Sequence, residues 1–317
     1  MSTAEVYSAG MPVSITSRLR LPLIAAPMFR VSGPQLVNAA CAAGIIGCFP
    51  TINATSMLQL ETWLEDFSTR HEQSGGRLAS WGANVVMRDP RAANDIEALR
   101  RHPPEIAIAS VGSPRAMVET LSGLGTLVLA DVATLHHARR PIEHGADGLI
   151  LLSAGAGGNT GSLNPFAFVR AVRAFWSGPL VIAGGLIDGV ALRAMRVLGC
   201  DLGYTGTRMI AAKESLADQR YQAMVAGSTM DDIVLTRAFT GLDTNMLGPS
   251  IREAGLDLAR LPPTLTAEQP RLVYSDTAPG PRQWKDILSA GHSVSGVGEP
   301  RSVAKIVDPI AREYECA

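Results

Sequence analysis

Three glycine-rich segments, each directly behind a short apolar run, carry the chemistry that this sequence offers most plainly. Ala154-Gly155-Ala156-Gly157-Gly158-Asn159-Thr160-Gly161 follows the run Gly148–Leu152, Ala183-Gly184-Gly185 follows Pro179–Ile182, and Thr205-Gly206-Thr207 follows Cys200–Tyr204. Glycine lets backbone approach a ligand closely, and loops of bare amides can hold a phosphate dianion without a dedicated lysine. A lone Gly-Gly after a strand is ordinarily a tight turn. Three such loops behind successive runs point instead to one phosphate-bearing cofactor, with the Thr207 hydroxyl and Arg208 as assisting donors.

The elements that must position these loops are short buried strands alternating with amphipathic helices. Apolar runs fall at Leu23–Met28, Ile45–Phe49, Ser80–Val86, Glu105–Val111, Thr126–Ala130, Gly148–Leu152, Pro179–Ala183 and Asp201–Thr205. Helical patterns lie between them, from a first helix opened by Ser32 as cap and Pro34 in its first turn to a last at Gly189–Leu198. Strands without an exposed face, joined by crossover helices, imply a parallel sheet, and eight units match a closed (β/α)8 TIM barrel. An open doubly wound sheet is the alternative.

The barrel is expected over residues 1–229, and residues 230–317 as a C-terminal helical and irregular elaboration over the barrel mouth. In that second part Asp231–Thr236 reads as a ninth short strand, Gln283–Leu288 and Val303–Tyr314 read as helices, and Pro270 and Pro279 break the pattern. In such a barrel the active site lies at the carboxyl ends of the strands, with phosphate between the loops after the seventh and eighth. Gly184, Gly185, Gly206 and Thr207 fall in those two loops.

Composition narrows the partners. With 28 basic against 29 acidic residues and no long run of either sign, nothing marks a nucleic-acid or anionic-membrane footprint. A small-molecule substrate is the expected partner, with a homodimer as the candidate assembly. Four widely spaced cysteines without CxxC pairing argue against a zinc site and a disulfide framework, so no metal is expected and a reducing cytoplasm is the expected location. No leader pattern or membrane-length apolar window stands in the sequence.

Ala26-Pro27-Met28, Gly82-Ala83-Asn84, Ala156-Gly157-Gly158, Ala183-Gly184-Gly185 with Asp188-Gly189, and Gly206-Thr207-Arg208 together resemble the nitronate monooxygenase (2-nitropropane dioxygenase-like) flavoproteins. Trp284 and Gly291-His292-Ser293 resemble that family's C-terminal segment. The resemblance implies a barrel that binds FMN non-covalently. Ala26, Pro27 and Met28 would line the flavin ring, Asn84 would bond its pyrimidine edge, and Gly157 and Gly158 would touch it from the sixth strand. Ala183, Gly184, Gly185, Gly206 and Thr207 would surround the phosphate.

Two departures bear on the reaction. Where nitronate-oxidising members carry a base histidine after the paired glycines, this chain has Asn159, which can orient a substrate oxygen but cannot take a proton near neutral pH. Where some relatives offer a lysine near the flavin, at the end of the fifth strand, it has Asp131, whose charge would disfavour a reduced, anionic flavin. A structural alternative for Asp131 is to cap the helix beginning near Thr134. Asn159 and Asp131 are thus the candidate catalytic residues.

Other polar residues read as structural. His136 and His137 suit a half-exposed helix, His144 a helix C-terminus, and Lys213-Glu214-Ser215 and Asp231-Asp232 solvated loops. Met28, Met87, Met209 and Met246 share no spacing and read as packing. The expected function is an FMN-dependent oxidoreductase of the nitronate monooxygenase type, oxidising a small nitronate-like anion with O2. The alternatives are an NADH- or NADPH-dependent flavin reductase acting on an enoyl thioester or quinone, and a non-catalytic flavin- or ligand-binding protein.

Overall fold

The computed structural model describes residues 10–264, 282 and 284–317. Eight parallel strands close on themselves: β1 (Leu23–Ala25), β2 (Ile46–Pro50), β3 (Trp81–Val86), β4 (Ile106–Ser110), β5 (Leu127–Val132), β6 (Gly148–Leu152) and, after a two-residue strand β7 (Gly158–Asn159) that stands outside the barrel, β8 (Leu180–Ala183) and β9 (Leu202–Thr205). β9 returns to β1 with Ile24 opposite Tyr204, which closes the ring. Each of the eight expected runs is a barrel strand, and the chain is a TIM barrel.

Period-two alternation along the strands builds the interior. Ile24, Ile46, Cys48, Ile106, Ile108, Leu129, Ile150, Val181 and Leu202 pack together inside the barrel. Following the same phase two residues onward gives Ala26, Asn84, Ser110, Asp131, Leu152, Ala183 and Tyr204, all of which line one cavity at the carboxyl ends of the strands. The opposite phase packs outward against the helices, as Leu149, Leu151, Leu180 and Ile182 do against Phe168, Leu192 and Met195. At the opposite end Asp201 accepts from Arg173 Nη2 and from the Leu180 amide, each at 2.8 Å, and so pins the starts of β8 and β9 together.

The remaining strands, β10 (Ile233–Thr236) and β11 (Thr244–Leu247), form an antiparallel sheet with β7 in the order β10-β11-β7. Thr244 lies opposite Asn159 and Asn245 opposite Gly158, so the glycine loop behind β6 is held as an edge strand by chain far downstream. The C-terminal helix Val303–Cys316 packs in the outer layer, its Val303, Ile306, Val307 and Ile310 sharing a core with Leu36 and Leu192.

Several local expectations are corrected. β1 stops at Ala25 rather than Met28, because Pro27 has no N–H for a ladder. Gly33 occupies the cap of helix Pro34–Ala42, while Ser32 Oγ instead donates to the Ala26 carbonyl and accepts from the Met28 amide, tying the first loop. The strand expected from Asp231 is β10 and begins at Ile233, since Met230–Asp232 forms a 3-10 turn boxed by Thr229 and Asp232. In place of the helix expected over Gln283–Leu288, Trp284 to Asp286 form a turn: the amides of Lys285, Asp286 and Ile287 all fold back on the Arg282 carbonyl, and Trp284 sits at φ 55°, outside the helical region. Gln283, Pro270 and Pro279 lie outside the described residues. Cys41, Cys48, Cys200 and Cys316 are unpaired. No described helix is long and apolar enough to cross a membrane.

Candidate active site

The mouth of the barrel opens into a cavity of about 950 Å³, at the upper end of the range of roughly 300–1,000 Å³ usual for small-molecule sites. It gathers Ala26, Pro27, Met28, Asn84, Asp131, Gly157, Gly158, Asn159, Ala183, Gly184, Gly185, Gly206 and Thr207, the residues singled out above as catalytic or cofactor-binding with the exception of Arg208. Its two ends differ in chemistry.

One end is built of backbone. The amides of Gly184, Gly185, Gly206 and Thr207 have no backbone acceptor among the described residues, although they come from two adjacent strand ends. Gly185 holds φ 74°, and a Cβ built on it would meet nothing within 4 Å, so its missing side chain leaves free space rather than relieving a clash. Thr207 Oγ accepts from the Gly291 amide at 2.9 Å, which leaves its own proton to donate. Gly157 is needed for close approach: a Cβ there would stand 2.7 Å from the Gly291 nitrogen and 3.3 Å from Thr207 Oγ1. The segment Ser289–Ser293 thereby closes this end, fastened by the His292 amide on the Gly155 carbonyl at 2.9 Å.

The floor is a polar chain across three adjacent strands. Asn84 Nδ2 donates to the Ile108 carbonyl at 3.2 Å and to Ser110 Oγ at 2.5 Å, and Ser110 Oγ donates to Asp131 Oδ2. With both amide protons of Asn84 so used, its carbonyl oxygen is the group left for a ligand. Asp131 Oδ1 is enclosed without a hydrogen-bond partner among the described residues, as is the Thr205 hydroxyl at the end of β9. Enclosure pushes the Asp131 carboxyl up to about 6, and the hydrogen bond from Ser110 only partly offsets it. Tyr204 shares this layer, and burial together with the Asp131 charge raises its phenol well above the ordinary value.

Several candidates take other places. Asp131 does not cap the following helix, because Thr134 does so itself by accepting from the His137 amide at 3.1 Å. Arg208 does not line the cavity; its guanidinium is turned away and bonds the Ile187 carbonyl. Glu214 accepts from the Val303 amide at the start of the C-terminal helix, and Asp232 closes its own turn. Met209 and Met246 are core, whereas Met28 and Met87 line the cavity. Among the described residues no group of three or more His, Cys, Asp or Glu is arranged to hold a metal.

Asn159 lines the cavity half-buried, its Oδ1 accepting from Thr244 Oγ1 at 3.3 Å. Asn245, which the sequence reading did not single out, fixes the same loop by donating from Nδ2 to the Ala156 carbonyl at 2.7 Å. Ser110 was also missed. Its signal was its phase, two residues beyond the inward pair Ile106 and Ile108.

Known proteins resemble the chain in sequence and in fold. The nitronate monooxygenase of Pseudomonas aeruginosa is 30% identical over 266 residues, covering 70% of this chain and 75% of that protein. An octahydro-indene-carboxyl-CoA dehydrogenase of Rhodococcus jostii is 24% identical over 230 residues, 73% of this chain but only 63% of the relative's length. In fold the chain resembles the nitroalkane oxidase of Streptomyces ansochromogenes, with a TM-score of 0.79 at 24% identity over 96% of this chain and 99% of that one. FabK of Thermotoga maritima is similar in fold, with a TM-score of 0.77 at 22% identity over 96% and 95% of the two chains. The nitronate monooxygenase family model matches residues 83–312, and with the barrel and its cavity this places the chain in the nitronate monooxygenase family, a family of flavin-dependent oxidoreductases.

Proposed function

We propose that the chain is an FMN-dependent oxidoreductase that oxidises a small nitronate-like organic anion with O2. The observation that carries this reading is the set of four glycine-loop amides without a backbone acceptor, at Gly184, Gly185, Gly206 and Thr207, all lining one end of a single cavity. A phosphate dianion suits such amides, and the free space at Gly185 leaves room for it. The orphaned Asp131 Oδ1 on the cavity floor suits the polar edge of a ring system laid above it. FMN bound there supplies a two-electron acceptor for the substrate and a donor to oxygen.

The protein's own residues then divide the work. Gly184, Gly185, Gly206 and Thr207 hold the phosphate, while Ala26, Pro27, Met28 and Ala183 form apolar walls that exclude water. The Asn84 carbonyl oxygen accepts from the pyrimidine edge, and Asp131 sets the charge beneath it. Gly157 and Gly158 admit the ring and substrate closely. Asn159, braced by Thr244, orients a substrate oxygen by hydrogen bonding but takes no proton.

A nitronate is already the anion and needs no base, whereas a neutral nitroalkane does. Asn159→Ala is accordingly expected to lower kcat/KM for a nitronate by about ten- to a hundredfold, the value of one hydrogen bond to a charged group at about 1.5–3 kcal/mol. Neutral nitroalkanes are expected to be poor substrates. Steady-state oxygen uptake with both substrate forms checks this; rapid oxidation of the neutral form, unchanged in the Asn159→Ala protein, contradicts the role given to Asn159.

A second reading is favoured by the size of the cavity, which continues past the glycine end over the loops behind β3, β4 and β5. On that reading a nicotinamide dinucleotide reduces the flavin and an enoyl thioester or quinone reoxidises it. Anaerobic mixing with NADH or NADPH separates the two: rapid bleaching of the flavin favours the reductase, and bleaching only by nitronate favours the oxidase.

A further inference from the structure

The end of the cavity remote from the glycine loops is built quite differently. Arg88 follows β3, Arg115 opens the helix after β4, His137 and Arg140 belong to the helix after β5 and His144 caps its C-terminus; all five line the cavity, with the three arginines at its solvent-exposed rim, and of the cavity's acids Glu119 lies on these helices, Asp131 on the floor and Asp243 on the loop before β11. In a chain whose charges balance, 28 basic against 29 acidic, the loops and helices behind β3, β4 and β5 bring three arginines and one carboxylate, Glu119, to the cavity rim. None of the three guanidinium groups has an ion-pair partner among the described residues, in contrast to Arg91, Arg101 and Arg173, which do.

The walls of this arm are braced. Val111, the residue after β4, holds φ 54°, a conformation that a β-branched residue rarely adopts and that costs about 1–3 kcal/mol. The kink brings Ser113 onto the helix after β5, where its hydroxyl bonds His144 Nδ1 at 2.7 Å, and Ser113 Oγ also receives the Arg115 amide at 3.3 Å. The Arg115 and Arg140 walls are thus tied to each other through Ser113 and His144. The strained residue thus stands in the loop that carries one wall of the arm.

We propose that this arm is a second anion subsite, which takes the diphosphate of an adenosine-diphosphate-bearing substrate whose reactive end lies over the barrel mouth. The proposal rests on the flavin reading above. Guanidinium groups offer planar forks that match phosphate oxygens, and three of them delivered by three separate loops fit an extended polyanion better than a single carboxylate. The glycine end already accommodates one phosphate, so the arm's charge calls for another. Coenzyme A thioesters and nicotinamide dinucleotides both carry the required group.

The test is calorimetric titration of the FMN-loaded protein with inorganic diphosphate, coenzyme A and NADP+, in parallel on wild type and on the Arg115→Ala/Arg140→Ala double variant. Wild type is expected to bind at least one nucleotide, competitively with diphosphate and more weakly as salt is raised, and the double variant to lose at least about tenfold in affinity. Which nucleotide binds identifies the source of the tail. The 450 nm region of the same samples reports bound FMN, so the two readings separate. Yellow protein that binds none of the three probes, or binds them equally well with and without the arginines, overturns the proposal; colourless protein overturns the flavin reading and this one with it.

Discussion

Gly185→Val is expected to abolish FMN retention while leaving the barrel folded. A Cβ added there has nothing within 4 Å, so the side chain starts in open space at the cavity end. It fills the place assigned to the phosphate, and it strains a backbone at φ 74° by about 1–2 kcal/mol. Loss of two charge-assisted hydrogen bonds at about 1.5–3 kcal/mol each corresponds to a weakening of FMN binding on the order of a thousandfold. Fluorescence titration of the stripped protein measures the affinity, and far-UV circular dichroism reports the fold. A variant that remains folded and binds FMN as wild type does would remove the amide cradle from the account.

The second large effect is on redox balance. At pH 8 the Asp131 carboxyl, pushed up to about 6 by burial, is ionised, and its charge would oppose the gain of negative charge by a flavin held in the cavity. Each increment of about 1.4 kcal/mol of such opposition would equal about 30 mV for a two-electron couple, so an interaction of about 3 kcal/mol would correspond to about 65 mV. Asp131→Asn is therefore expected to raise the potential of bound FMN by that order at pH 8. Below pH 6 wild type carries a neutral carboxyl and the difference shrinks. Equal potentials for the two proteins at pH 8 would place Asp131 outside the flavin's reach.

The ligand-free protein offers a check on the same group. A carboxyl raised from 3.8 to about 6 holds its proton in the folded state after the unfolded chain has lost it. Its contribution to stability is full below about pH 4 and is lost as pH rises through 6. Asp131→Asn should accordingly stabilise the unloaded protein at pH 8 by about 1–3 kcal/mol and much less at pH 4, as read by urea denaturation.

How much of this was legible in the sequence follows from the range of the interactions concerned. The eight barrel strands were readable because strands buried on both faces are written as continuous apolar runs, and the helices between them repeat the same local grammar. The amide end of the site was readable for a similar reason, since glycine at a strand's end is a local signal. Ser110 was not, because a serine at the end of β4 shows its function only once the inward phase of Ile106 and Ile108 is fixed. The bracing of Asn159 by Thr244 and of Ala156 by Asn245 joins residues 85 and 89 positions apart, and nothing local marks either. Lys285–Ile287 misled because its pattern suits a helix, while the Arg282 carbonyl gathers its amides into a turn.

The most direct measurement is the visible spectrum of the purified protein, followed by mass identification of whatever chromophore is released on denaturation. The account predicts flavin absorbance near 450 nm and release of FMN in a ratio near one per chain, or uptake of added FMN to that ratio by the stripped protein. A colourless protein that takes up no FMN would contradict it.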